Sequence, residues 1–384
     1  MRNLSFVVFI SVFLFIYILV HYYVWLRLRM LWPHAERSFW FFTIAYVLLA
    51  ITFVAGRFML HAEGFFHEIV AWLGAYWLII ALYLFLAILL FDLIRIINWM
   101  VPFLPVKGTD VYLLLKAWVF YGMIGIIGLV VLWGNWNAVR PRVKEITITT
   151  SKETGLNRPL SLVVVSDLHM GSLVGKHRLE KMVDRINQLK PDIVILAGDL
   201  LDEAHGYIFK RDVGAPIRNI KAFYGVYAVP GNHEYIGGIV SSEQYIQTLA
   251  LHWLKDSVIG ISEHITLIGR DDRQAYRMLG KNRKSLQDLL ANVDAGTFNI
   301  LIDHQPVQLE KVAQYPIDLQ VSGHTHNGQF WPFNHVVRWV YRLPYGYAKI
   351  GDTHFYVSSG YGTWGPPVRL ATISEIVHIR VIKR

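Results

Sequence analysis

The chain contains no cysteine. That excludes disulfides, thiolate metal ligands and a cysteine nucleophile, and it leaves the compartment open. Charge is also sparse, with only 17% of the 384 residues being Asp, Glu, Lys or Arg. No P-loop and no H-E-x-x-H stretch occurs. Residues 360–365 do read G-x-G-x-x-G, but Pro366 and Pro367 follow at once. No helix can open there to receive a pyrophosphate, so we read this stretch as a loop at the edge of a site. Internal repeats and low-complexity tracts are missing as well.

What is plentiful is apolar. Hydrophobic residues make up 54% of the chain, and the mean hydropathy is +0.36, too high for an ordinary soluble enzyme. Four runs carry it: residues 4–26, 39–56, 69–91 and 111–133. Each is about long enough to cross a hydrocarbon core. Trp25, Trp40, Trp99 and Trp136 lie near their ends, as interfacial aromatics do. The alternative is a buried helical bundle. A cleaved leader is disfavoured, because no small-residue site follows the first run. Four spans put both ends of the region on one side. Arg2, Arg57, Arg140, Arg142 and Lys144 then balance Arg27, Arg29, Arg37, Arg95 and Lys107, so charge does not orient the bundle. Asp92 and Arg95, one turn apart, read as an interfacial ion pair. The net charge of +9 suits an anionic membrane surface, a phosphorylated substrate or a topology signal.

Beyond the runs the pattern changes. Residues 137–144 form a short basic junction, and residues 145–150 (EITITT) alternate with period two, as a strand does. Short β-branched runs then stop, one after another, at polar residues. Residues 162–165 end in Ser166-Asp167-Leu168-His169, and 193–197 end in Gly198-Asp199. Residues 223–229 end in Pro230-Gly231-Asn232-His233-Glu234, and 298–302 end in Asp303-His304. A last run leads into VSGHTHNGQ (321–329), with His324 and His326 two positions apart. Taken singly, each is as readily a turn or cap as a ligand. Together they put N and O ligands at strand ends, where layered α/β folds build their sites. Between the first two, Leu179, Met182, Val183, Ile186 and Leu189 fall at helical spacing, making a β-α-β unit. Residues 241–254 and 284–290 read as helices. Residues 345–350 and 354–358 read as a hairpin about Gly351-Asp352, and 375–382 as the strand that closes the sheet.

This ordered set resembles the calcineurin-like metallophosphoesterase family. The matching parts are D-x-H at Asp167 and His169, GD at Asp199, GNHE at 231–234, His304, and GHTH at 323–326, within a region running from about residue 147 to the C-terminus. The resemblance implies an α/β, four-layer αββα sandwich, here preceded by an α-helical transmembrane bundle. The division would be 1–136 membrane domain, 137–144 junction and 145–384 catalytic domain. It implies two divalent metal ions (Mn, Fe or Zn, with Mn favoured). Asp167, His169 and His326 would hold one, Asn232, His304 and His324 the other, and Asp199 would bridge them. His233 would act near the leaving group, as general acid or transition-state stabiliser. Such a pair of ions acidifies water and stabilises the attacking and leaving oxygens of a phosphoester. Glu234 would either orient His233 or close the turn, and Asp303 would pack behind His304.

The expected substrate is a lipid-linked phosphodiester or pyrophosphate, UDP-2,3-diacylglucosamine of lipid A biosynthesis foremost, with membrane lipids as partners and no nucleic acid. The catalytic domain would face the cytoplasm. Oligomeric state is not readable. Alternatives are a soluble or protein substrate, with the spans as an anchor, and a non-catalytic membrane receptor or scaffold. Arg270, Arg273, Arg277, Lys281, Arg283 and Lys284 form a basic cluster, either a dock for phosphorylated headgroups or a solvated face.

Overall fold

The computed structural model describes residues 2–58, 64–202 and 205–384. The chain forms two compact units, Met1–Trp133 and Gly134–Arg384.

In the first unit lie α1 (Arg2–Leu31), α2 (Glu36–Phe58), α3 (Phe65–Met100) and most of α4 (Asp110–Val139). All four are long and apolar enough to cross a membrane. Their surfaces expose large apolar side chains such as Phe41, Trp99, Leu129 and Leu132, as lipid-facing helices do. Two sets of polar groups inside close on one another. His21 Nδ1 lies 2.9 Å from Tyr17 O, and Trp77 Nε1–H donates to His21 Nε2 at 3.1 Å. Asp92 accepts from Tyr23 OH at 2.6 Å and pairs with Arg27 at 2.7 Å, while Arg95 stands off at 3.4 Å. The expected Asp92–Arg95 pair is therefore secondary. Arg27 reaches Asp92 from α1, and the closer contact ties α1 to α3.

The second unit continues with β1 (Arg142–Thr150), β2 (Leu160–Val165), α5 (Lys176–Gln188), β3 (Ile193–Leu196), α6 (His205–Arg211) and β4 (Val226–Ala228). Next come α7 (Asn232–Gly237), α8 (Ile239–Ile246), β5 (His252–Trp253), β6 (Ser257–Gly260), β7 (Ile265–Gly269), α9 (Gln274–Leu279) and α10 (Leu286–Leu290). The chain finishes with β8 (Phe298–Ile302), α11 (Leu309–Val312), β9 (Leu319–Ser322), α12 (Phe333–Val340), β10 (Gly346–Ile350), β11 (Thr353–Val357) and β12 (Glu375–Lys383). Two six-stranded sheets result, ordered β1-β12-β2-β3-β4-β5 and β10-β11-β9-β8-β7-β6.

Strand alternation sorts the side chains into layers. Leu162, Val164, Ile193 and Ile195 from one sheet meet Leu267, Phe298, Ile300 and Val321 from the other in a shared core. The opposite face of the first sheet, Val163, Val165, Val194 and Leu196, packs on Leu179, Met182, Val183 and Ile186 of α5. Leu301 and Phe355 of the second sheet pack on Leu286, Leu289 and Leu309 of the short helices. Helix, sheet, sheet and helix make four layers.

Several boundaries move. Residues 137–144, set apart above as a junction, are helix to Val139 and strand from Arg142. The strand over 375–382 does not flank the sheet but inserts between β1 and β2, parallel to one and antiparallel to the other. The helix expected over 241–254 stops at Ile246. Ala250 turns into the left-handed region at φ 53°, and the chain enters β5.

Candidate metal centre

Every proposed ligand leaves the C-terminal end of a strand in a parallel run. Strands β2, β3 and β4 are mutually parallel, as are β8 and β9. Asp167 and His169 follow β2, and Asp199 follows β3. Asn232 opens α7 after β4, His304 follows β8, and His324 and His326 follow β9. The backbone there is unusual. Asp167, His169, Asp199, His324 and His326 all have positive φ, between 46° and 74°. Non-glycine residues rarely adopt it, and such strain gathers where the fold must aim a side chain. Two glycines allow the close approach: a Cβ at Gly231 would collide with Asp199 Oδ1, and one at Gly323 with Asp167 Oδ2.

The structure brings the predicted residues together. Asp167, His169 and His326 form one group of potential ligand atoms within 4.8 Å of one another, and Asp199, His304 and His324 form another. A third joins His169, Asp199 and His233, so Asp199 belongs to both sides. His169 Nε2 faces His326 Nε2 at 3.1 Å, and His326 Nε2 lies 3.3 Å from Asp167 Oδ1. His324 Nδ1 is 2.7 Å from Asn232 Oδ1.

The donor chemistry fits cations. His304 Nδ1 lies 2.8 Å from the Ala197 carbonyl, an acceptor, so that nitrogen donates its N–H. The Nε2 lone pair is left over, buried and, among the described residues, without a hydrogen-bond partner, 3.1 Å from Asp199 Oδ2. A lone pair facing a carboxylate, and two imidazole nitrogens facing each other, are repulsive unless positive charge lies between them. The charges agree. Burial pushes the Asp167 carboxyl up to about 6. Burial drives His169 down to about 4 and His324 to about 3, and holds His326 well below the usual imidazole range. Neutral imidazole is the form that binds metal. Burial opposes a charge on His304 as well, but Asp199 outweighs it, so a cation at that nitrogen is favoured. Burial also works against Asp199 as an anion, and the surrounding imidazoles, His304 foremost, hold it well below the carboxylate range.

Supporting residues divide into those foreseen and those not. Glu234 does not reach for His233. Its two oxygens accept the backbone N–H groups of Asp199, Leu200, Leu201 and Gly231 at 2.7 to 3.2 Å. Burial and the Asp199 charge push its carboxyl up to about 7, against those donors. A carboxylate that does approach the His233 ring is Asp202, whose Oδ1 is 3.6 Å from Nδ1. Asp303 pairs with Arg283 at 2.9 Å and Arg270 at 3.8 Å. Arg369 went unnoticed in the sequence. It is fully buried, donates to the carbonyls of Ser359 and Gly362, and brings Nη2 within 3.3 Å of His326 Nδ1. Burial lowers it only to about 10, so it stays charged. Its carbonyl partners lie 7 and 10 residues before it, but His326 lies 43 residues away, so no local pattern ties it to the ligands. The glycine loop 360–365 packs behind the first ligands, with the N–H groups of Tyr361 and Gly362 donating to Ser166 O and Asp167 O.

Most of the cage is sealed. Asn232 and His324 are the ligands that remain half-exposed, and they line a cavity of about 640 Å³.

A family model described as calcineurin-like phosphoesterase matches residues 160–328. An uncharacterized metallophosphoesterase of Helicobacter pylori is 31% identical over 292 residues, 74% of this chain and 75% of that one. Another from Campylobacter jejuni is 26% identical over 386 residues, covering 97% of each. A zebrafish (Danio rerio) protein described as a transmembrane protein with metallophosphoesterase domain is 31% identical over 268 residues, 66% of this chain and 60% of that one. Identity of this level across three quarters of a relative, together with the family match over the strands that carry the ligands, places the chain in the calcineurin-like metallophosphoesterase family.

Proposed function

We propose that this metal-dependent phosphoric ester hydrolase cleaves a phosphodiester or pyrophosphate bond in a lipid-linked substrate, with UDP-2,3-diacylglucosamine the first candidate. The observation that carries the lipid reading is the rim of the cavity. Beside the half-exposed ligands the cavity is lined by Val340 at the end of α12, 65% exposed, and by Ile236, 43% exposed. Apolar side chains held open to solvent beside a polar site suit an acyl chain. The four long apolar helices of the same chain support it too.

Asp167, His169 and His326 would hold one divalent ion, Asn232, His304 and His324 the other, and Asp199 both. When bound, the ions supply Lewis acidity, which offsets the phosphate charge and acidifies water at neutral pH. The chain's own residues do the rest. His233 borders Asp199 and His169 and would give a proton to the leaving oxygen. Its backbone N–H donates to Asp199 Oδ1 at 2.8 Å, which fixes the start of α7 against the bridging carboxylate. Asp202 is placed to orient the His233 ring.

The test is hydrolysis of UDP-2,3-diacylglucosamine by purified protein with Mn2+, against Asp199→Ala. Metal-dependent release of UMP, absent from the variant, is the expected result. Faster cleavage of soluble nucleotides than of any lipid would remove the lipid half of the reading. We place the catalytic unit on the cytoplasmic side by analogy, because nucleotide-activated lipids are made there. The chain has no cysteine, so a single Lys181→Cys reports the side directly. Labelling of intact cells by an impermeant maleimide would overturn the assignment.

A further inference from the structure

The basic cluster of residues 270–284 separates into two kinds of residue. Arg270 is buried and donates to Lys284 O at 2.8 Å. Arg283 donates to Asp303 at 2.9 Å and to Asp271 O at 3.1 Å. Lys284 bonds Asp256 through its backbone N–H at 2.7 Å and its Nζ at 3.2 Å. These three hold loops together. Arg273 and Arg277 do not. Both are exposed, and among the described residues neither closes an ion pair or a hydrogen bond.

Both line the cavity that also contains the metal-site residues Asn232 and His324. They sit one turn apart, Arg273 at the N-terminal boundary of α9 and Arg277 within it. Like charges at that spacing repel, so the pair weakens its own helix unless an anion joins it. Arg342 lines the same cavity and pairs with Glu310 in an exposed ion pair at 3.2 Å, which is weak enough to yield. Tyr341 lines the same cavity, with its ring centroid 6.0 Å from that of His324. Guanidinium groups grip phosphate oxygens through paired N–H donors, which makes arginine the residue suited to a second phosphate.

We propose that Arg273 and Arg277, with Arg342 at the edge, form a subsite for a second anionic group on the substrate. The substrate class is then a phosphoester with another phosphate beyond the scissile one, as in a pyrophosphate diester. This rests on the hydrolase reading above and deepens it. It excludes simple mono-anionic diesters as the preferred substrate. It also explains why these two arginines lack partners while their neighbours have them.

The test uses the full-length protein in detergent with Mn2+. Calorimetry compares methylenediphosphonate, which carries two anionic groups and is not hydrolysed, with methylphosphonate, which carries one. The double variant R273A/R277A is expected to lose at least tenfold more affinity for the first probe than for the second. R273K/R277K should recover part of the loss, and Lys281→Ala, outside the cavity, should keep wild-type selectivity. Equal losses for both probes, or none for either, would overturn the subsite. Turnover is followed in parallel on bis(p-nitrophenyl) phosphate. A wild type that cleaves no phosphoester yet shows the binding difference would sink the hydrolase reading and leave the anion subsite standing. CDP-diacylglycerol in mixed micelles and soluble CDP-glycerol share one pyrophosphate. A tenfold loss of kcat/KM in R273A/R277A on the former alone assigns the second phosphate to a lipid, and on the latter alone to a soluble ester.

Discussion

His21 and His304 are both buried imidazoles, one in each unit. In the helical unit both ring nitrogens of His21 are engaged, with the Tyr17 carbonyl and with Trp77 Nε1–H. In the catalytic unit the nitrogen of His304 opposite its carbonyl contact has no hydrogen-bond partner and faces Asp199. The same contrast runs through their surroundings. Asp92 collects Tyr23, Arg27 and Arg95, whereas Asp167, Asp199 and three imidazoles converge on one another. A buried polar group closed on protein holds helices together. A converging set left open calls for a ligand, because the desolvation cost is otherwise unmet.

Breaking the open set should have the largest effect. Asp199→Ala should lower kcat/KM at least about a thousandfold, since several kcal/mol of charge stabilisation depends on the ions it would share. Chelation of the wild type should reproduce that loss, and added Mn2+ should restore the wild type but not the variant. Elemental analysis alongside the assay checks both. Next comes Glu234→Ala, which strands four buried N–H donors. At about 1–3 kcal/mol per unpaired group, with water relieving some, the catalytic unit should lose about 4 kcal/mol in denaturant. A shift of less than about 1 kcal/mol would mean that the Glu234 carboxylate is not what secures the Asp199 turn.

Asp202→Asn keeps its shape but removes the charge beside His233. Roughly 10- to 100-fold should be lost from kcat with metal content intact, the usual scale for a group acting through another. An unchanged pH–rate profile in that variant would show that the carboxylate does not tune the proton donor. Smallest should be Asp92→Asn in the closed set. It should cost about 1 kcal/mol of helical-unit stability and leave phosphodiester turnover alone, since the pair is partly solvated. A tenfold fall in turnover there would contradict the division between glue and site.

The two sets were not equally visible in the sequence. The ligand pattern was legible because each ligand follows a strand within two to four residues, so a local β signal and a local polar residue coincide. The four helices were legible from hydropathy over a window of one span. The order of the first sheet was not, because β12 pairs with strands more than 200 residues away in the chain, and nothing local states a long-range register. Arg369 was hidden for the same reason, since His326, 43 residues before it, meets it only through the fold. Helix α12 escaped as well. Its apolar residues face outward, so the usual rule that periodic apolar positions mark a core misreads it.

The inserted position of β12 bears on synthesis. A nascent chain can expose its four helices, β1 and β2 long before residues 375–383 exist. Until then β1 lacks its neighbour, and the edge of β2, which leads to Asp167 and His169, is bare. Long-range pairing of this kind forms late. The pairing of the first sheet therefore completes only after residues 375–383 have been made, and unmatched strand edges must be shielded from aggregation in the interval.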